Sequence, residues 1–236
     1  MFSQLFNISN YYFNPYAYPV MLVSIFILSV GIFVLRQNRK AINTSFFFLC
    51  LSTSIWLFTI SFVYLSRNPD VALIWYRYFT FFGVVNIMPS LILFATAWLG
   101  EIKRKKIILI SNYLFSFIFY GLAIFTDKVI VPYDIRRYFW GFYPIYGIGA
   151  AIFLLFYSIQ FIIGIRGLYL AYKYETIPIK RTQIGMITVA ILIAFTASLD
   201  FLPKFFYFEL YPYGYIPMMI YISLVAYSIV RYKAFD

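Results

Sequence analysis

The sequence predicts an all-α integral membrane protein, a seven-transmembrane helix bundle with its N-terminus outside and its C-terminus in the cytoplasm. Three observations carry that expectation. They are an apolar excess too large for a water-soluble core, seven runs long enough to cross a bilayer, and loops whose basic charge alternates from side to side. The 236 residues are 64% hydrophobic and 11% charged, with a mean hydropathy of +0.84. A soluble domain is about half apolar and about a quarter charged. One core of this size cannot hide the excess, so the bilayer is the solvent for most of it. The 29 Phe and 24 Tyr suit the membrane interface, where a ring can be buried while its polar edge stays wet.

About 20 apolar residues cross a hydrocarbon layer roughly 30 Å thick. That rule gives spans at 16–35, 44–65, 71–99, 107–126, 144–170, 182–202 and 215–232. The first is not a cleaved leader: no basic segment precedes it, and Asn14, Pro15 and Pro19 interrupt the approach to it. The third is long, about 43 Å at the helical rise, so one end projects among headgroups. Pro89 inside it removes a helical hydrogen bond and marks a hinge or a packing kink. Short loops make neighbouring helices mostly antiparallel.

Charge sets the orientation. Twelve basic residues fall on one set of loops: Arg36, Arg39, Lys40; Lys103, Arg104, Lys105, Lys106; Lys173, Lys180, Arg181; Arg231 and Lys233. Five fall on the other: Arg67, Lys128, Arg136, Arg137 and Lys204. The Lys/Arg excess belongs to the cytoplasmic side, so the formal charge of +11 reflects membrane sidedness and not a nucleic-acid partner. The single cysteine, Cys50, is a buried small side chain, with no intrachain disulfide possible.

Several function classes are excluded. There is no histidine, hence neither the commonest general base nor the commonest metal ligand and no triad that needs one. No catalytic or metal constellation and no cofactor motif is found. No lysine lies in the last two spans to carry a retinal Schiff base. Mid-membrane carboxylates for an ion pathway and an inverted repeat of broken helices are absent as well. A small-solute transporter or channel-like protein, or a lipid-modifying membrane enzyme, is the alternative to a non-catalytic reading.

Polar residues within the spans are the candidate site. Arg77 either snorkels to the interface or pairs with Asp200 at the outer end of the sixth span; Lys204, one turn further on, competes for the same carboxylate. Arg166 snorkels from the fifth span. Asn86 and Gln160 are expected in interhelical hydrogen bonds. Gly147, Gly149, Gly164 and Gly167 permit close helix approach within the bundle, although a homodimer is possible. The two long outer loops, DKVIVPYDIRRYFWGFYP and DFLPKFFYFELYPYGYIP, are an aromatic belt or a cup for a small or apolar ligand. The candidate ligand-binding residues are Arg77, Asn86, Trp140, Asp200, Lys204 and Tyr211.

Three segments carry a family resemblance: NRKAINTSFFFLCLSTSIWLF with Trp56; KRTQIGMI followed by SLDFLPKFFYFELYPYGYIPMMIY; and YSIVRYKAFD. Together they resemble the seven-transmembrane N-terminal sensor domain of bacterial histidine kinases, found also on some diguanylate cyclases. In that family an Arg-x-Gln opens the sixth helix, matched by Arg181 and Gln183. Leu-Pro and Tyr-Pro-x-Gly mark the last outer loop, matched by Leu202, Pro203, Tyr211, Pro212 and Gly214. A Tyr-Ala-Ile-x-Arg-Tyr-Arg-Leu-Phe-Asp-like run ends the seventh helix, matched from Tyr227 to Asp236 except at Ser228 and Ala234. The resemblance implies a multi-pass receptor of the bacterial inner membrane acting in a two-component system. It implies a cytoplasmic kinase or cyclase module in cis or in trans, and a signal leaving through Arg231, Tyr232, Lys233, Phe235 and Asp236. On that reading the chain is either the sensor part of a longer kinase or a stand-alone homologue. A cysteine placed at Asn38 or Tyr138 reports the orientation: an impermeant thiol reagent applied to intact cells is expected to label only the one at position 138.

Overall fold

The computed structural model describes residues 2–206 and 209–231. Among the described residues six helices are long and apolar enough to cross a membrane: α1 Ala17–Gln37, α2 Ala41–Leu65, α3 Pro69–Trp98, α4 Lys106–Phe125, α5 Ile148–Tyr174 and α6 Pro178–Phe205. A shorter apolar helix, α7, covers Tyr215–Arg231. The helix bounds differ from the sequence-predicted runs by up to four residues, most at α5, 148–174 against 144–170, and α6, 178–205 against 182–202. The run expected to carry the output signal lies outside the described residues, save for Arg231, where α7 ends.

The helices begin and end for local reasons. Pro69 stands in the first turn of α3 with Asp70 beside it, where the missing N–H costs nothing and the carboxylate meets the positive end of the helix. Asn43 of α2 donates through Nδ2 to the Val34 carbonyl (3.1 Å), satisfying an orphan acceptor in the last turn of α1. The centre of the bundle is α2 and α3, with 67% and 72% of their most apolar stretches buried; for α4 and α5 the figure is 22%. Those two helices turn Ile107, Leu114, Leu155, Ile162 and Ile163 outward, which in a bilayer means toward lipid.

Helix-to-helix hydrogen bonds come mostly from serines. Ser54 Oγ of α2 donates to the Ser24 carbonyl of α1 (2.9 Å). Ser52 of α2 bonds Ser90 of α3 (3.2 Å), and Ser90 bonds Tyr113 of α4 (3.1 Å). Each such bond contributes on the order of 1 kcal/mol in a membrane bundle. The expectation for Asn86 and Gln160 is therefore corrected. Asn86 donates within its own helix to the Phe82 carbonyl (2.8 Å), and Gln160 is buried with its carboxamide unpartnered among the described residues. The small-residue expectation splits. A Cβ on Gly147 or Gly149 would press on the Lys128 carbonyl, whereas Gly164 and Gly167 face open space.

The largest departure from an all-α bundle is an antiparallel hairpin between α4 and α5. Strand β1, Ile130–Tyr138, pairs with β2, Gly141–Tyr146, in a register running from Ile130 opposite Tyr146 to Tyr138 opposite Gly141. The register shifts between Val131 and Ile135, a bulge in the ladder. Gly141 has φ +127°, and a Cβ there would lie 2.7 Å from Tyr64 Cα; only glycine fits both the conformation and the close approach to α2. Every residue of β2 is buried, so the hairpin is folded down into the bundle and not spread as a belt.

The N-terminal segment closes over this end. Two short 3₁₀ turns, Phe2–Phe6 and Ile8–Asn10, lie against the start of α3, with Leu5 packed on Val71 and Ile74. Asn14 Nδ2 reaches both the Tyr64 carbonyl (2.8 Å) and the Trp140 carbonyl (2.7 Å). One buried amide thus joins the N-terminal segment, α2 and the hairpin. At the opposite end the starts of α2 and α6 and the ends of α3 and α5 meet around a cavity. Three of the basic loops read from the sequence therefore share one end of the bundle.

Candidate functional site: an aromatic box closed on a lysine

Toward the hairpin end α6 leaves regular α-helix. Thr196–Phe201 winds as 3₁₀ and Leu202–Phe205 resumes a single α turn, with Pro203 in its first positions. The tighter winding turns both Asp200 and Lys204 inward; they are 6% and 1% exposed.

Lys204 Nζ sits among four rings. It lies 4.6 Å from the centroid of Tyr143, 4.7 Å from Phe201, 5.1 Å from Tyr146 and 5.4 Å from Tyr76. No salt bridge joins it to Asp200 among the described residues, which corrects the expectation that Lys204 takes that carboxylate directly. Removing an ammonium from water costs several kcal/mol. Four ring faces at roughly 0.5–2 kcal/mol each are of the size needed to offset it. The box is rigid because its walls are bonded to one another. Tyr76 and Tyr146 share a hydroxyl hydrogen bond of 2.6 Å, and the Tyr143 hydroxyl donates to the Asp200 carbonyl at 2.7 Å.

The Asp200 side chain does something else. Its Oδ2 accepts the Gly214 N–H at 2.9 Å, one residue before α7 begins. A Cβ on residue 214 would strike that oxygen, so the approach requires glycine. Beside Asp200 a cavity of about 10 Å³, bounded by Trp56, Tyr64, Tyr143 and Tyr215, has room for about one water. The open cup entertained from the sequence is thus filled by the protein's own rings. Trp140 is fully buried, stacked on Tyr138 at 4.5 Å with a 4° tilt and in edge contact with Tyr211 at 6.0 Å. Tyr211 in turn donates to the Tyr16 carbonyl at 3.0 Å. Burial pushes the phenols of Tyr143, Tyr146 and Tyr211 upward from their ordinary range. All three are neutral hydroxyls at physiological pH and act here as donors and as ring faces.

Of the six candidate ligand-binding residues, the structure brings Trp140, Asp200, Lys204 and Tyr211 into one cluster. It leaves Arg77 and Asn86 apart. Arg77 lies on Trp75–Thr80, a π-helical segment of α3, and extra winding of that kind redirects side chains. Its Nη2 pairs with Asp127 Oδ1 (3.0 Å) and donates to the Ile130 carbonyl (3.0 Å). The Arg77–Asp200 pair is therefore replaced by a clamp on the lead-in to the hairpin. Sequence reasoning missed Asn14, Tyr64, Tyr76, Tyr143 and Tyr146. With 24 tyrosines in the chain, nothing singled out these four; Asn14 was seen only as an interruption of the first span.

These features define a multi-pass helical membrane domain whose one end is sealed by an aromatic cap. A family profile described as the N-terminal 7TM region of histidine kinase matches residues 19–236, and the chain belongs to that family of membrane sensor domains. A comparison with curated proteins gives no match.

Removing parts of the cap should cost stability in a set order. Tyr143→Phe loses one buried hydrogen bond and is expected to destabilise by about 1 kcal/mol. Asp200→Ala leaves the Gly214 N–H without its carboxylate acceptor; about 2–3 kcal/mol is expected. Unfolding of the purified protein in detergent, followed by circular dichroism, checks both. An equal effect of the two substitutions would contradict the order.

Proposed function

We propose that the chain is the input part of a signal-transduction protein of the bacterial cytoplasmic membrane. It crosses seven times, with the N-terminus outside, the cap on the outer face and the C-terminus inside. The 17 residues of α7 extend about 25 Å, close to the hydrocarbon thickness, which puts its end at the headgroups where basic residues meet anionic lipid. The chain itself carries no catalysis; the output module is a cytoplasmic kinase or cyclase, in cis or in trans.

A single observation supports the relay: the Asp200 carboxyl, one turn before the boxed Lys204, holds the backbone at the root of α7. A small or apolar ligand that enters the cap competes for the ring faces around Lys204 and displaces the tight turn that carries both residues. Its differential affinity for the opened arrangement shifts the population. Helices packed this way respond by small translations or rotations, and α7 carries the movement across. Trp140 and Tyr211 shape the entry to the cap, and Arg77 keeps the hairpin over it.

The test joins residues 1–236 in frame to a histidine-kinase core and measures autophosphorylation in membranes. Asp200→Asn and Gly214→Ala are expected to change the basal rate in the same direction, by about fivefold or more, and the double substitution no further than either alone. Wild-type rates in both variants, with the proteins folded and inserted, would contradict a relay through this contact.

A further inference from the structure

The opposite, basic end of the bundle holds a second site unrelated to the cap. Tyr76 of the box and Trp98 lie 22 residues apart on α3, about 33 Å at the helical rise. Around Trp98 the structure opens a cavity of about 720 Å³, within the roughly 300–1,000 Å³ range of small-molecule sites. Its floor is apolar, from Leu99 of the α3–α4 turn, Leu170 of α5 and Ile184 of α6. Gly167 of α5 lies on the same wall, and a Cβ there would meet nothing within 4 Å.

The polar groups on this floor are few and specific. Gln183, 5% exposed, lines the cavity. The residue is buried while its carboxamide opens on the cavity, where it can both donate to and accept from a bound group. Of the charged side chains on the wall, Lys105 is already paired with Glu101 at 2.6 Å. That leaves one cation, Lys180, and one anion, Glu175, each lining the cavity and neither in an ion pair among the described residues. Glu175 spends one carboxylate oxygen on the Ile177 N–H (3.0 Å) and keeps the other.

We propose that this cavity binds a zwitterionic phosphate–ammonium headgroup. The phosphate meets Lys180 and the Gln183 amide, the ammonium meets Glu175, and attached hydrocarbon lies over Leu170 and Ile184. A purely anionic headgroup would face Glu175 and the already paired Glu101; a purely cationic one would face Lys180. Both sit worse than a molecule carrying one charge of each sign. The same headgroup chemistry can come from a phospholipid of the adjoining leaflet or from a water-soluble phosphodiester, and the geometry favours the lipid because the floor is apolar.

Native mass spectrometry of the delipidated full chain tests this, with titrations of phosphatidylethanolamine, phosphatidylglycerol and soluble glycerophosphoethanolamine. One tightly held phosphatidylethanolamine is expected, preferred about tenfold over phosphatidylglycerol. Lys180→Ala and Gln183→Leu should each weaken it about tenfold. Glu175→Lys should reverse the preference toward phosphatidylglycerol. Tighter binding of the soluble compound than of the lipid would keep the headgroup site and move its source to the cytosol. Equal retention of both lipids by the wild type, or wild-type retention in all three variants, would overturn the proposal. Lys180 is exposed and Glu175 partly so, so these two substitutions can be read without loss of the fold.

Discussion

The arrangement turns on a lysine removed from water. Lys204 is 1% exposed, and four aromatic rings stand where a carboxylate would ordinarily be. Ring faces attract a cation more weakly than a direct ion pair does, but they have no lone pairs that must be satisfied in turn. The neighbouring carboxyl is left free to hold backbone. Asp200 binds the Gly214 N–H and, through its own carbonyl, fixes Tyr143, so the box, the turn of α6 and the root of α7 form one unit. The same residue thus touches a wall of the box and the backbone just ahead of α7.

The rest of the cap keeps water out of that unit. The hairpin supplies two of its walls, Tyr143 and Tyr146, and is held down from three sides. Arg77 clamps its lead-in to Asp127, Asn14 ties its turn to α2, and Trp140 is wedged between Tyr138 and Tyr211. The opposite end of the bundle is built differently. There an open cavity lined by Gln183, Lys180 and Glu175 makes a recess and not a plug. One end of the domain is closed on its own side chains, and the other opens on a cavity.

What the sequence disclosed follows the strength of the signals. Apolar runs of about 20 residues have one stable fate, so six long apolar helices were legible nearly to their ends, and charge alone grouped three basic loops that the structure places at one end. The hairpin was legible in principle, since VIV and IRRYFWGFY are rich in β-branched and aromatic residues. Pro132 and Pro144 are unfavourable within strands, and Pro144 stands opposite Ile135 beside the bulge. Asp200 and Lys204 drew attention as charges near a membrane, but their partners could not be read. A backbone N–H fourteen residues away and ring faces from three separate elements leave no pattern along the chain. Arg77 had two carboxylates available near one end of the bundle, and only the π-helical turn of α3 decides for Asp127. Gly214 shows the reverse. Its place in the Tyr-Pro-x-Gly stretch was visible, and the structure supplies the reason, since any side chain there would strike Asp200.

Amide hydrogen exchange by mass spectrometry, comparing the wild type with Lys204→Met in the same detergent, tests the unit most directly. Methionine keeps the length of the side chain and removes its charge. If the boxed ammonium holds the cap together, protection is expected to fall in the segments around 138–146 and 209–218 while α2 at 41–65 is unchanged. Unaltered protection of residues 209–218 in Lys204→Met would contradict the claim that the lysine secures the root of α7.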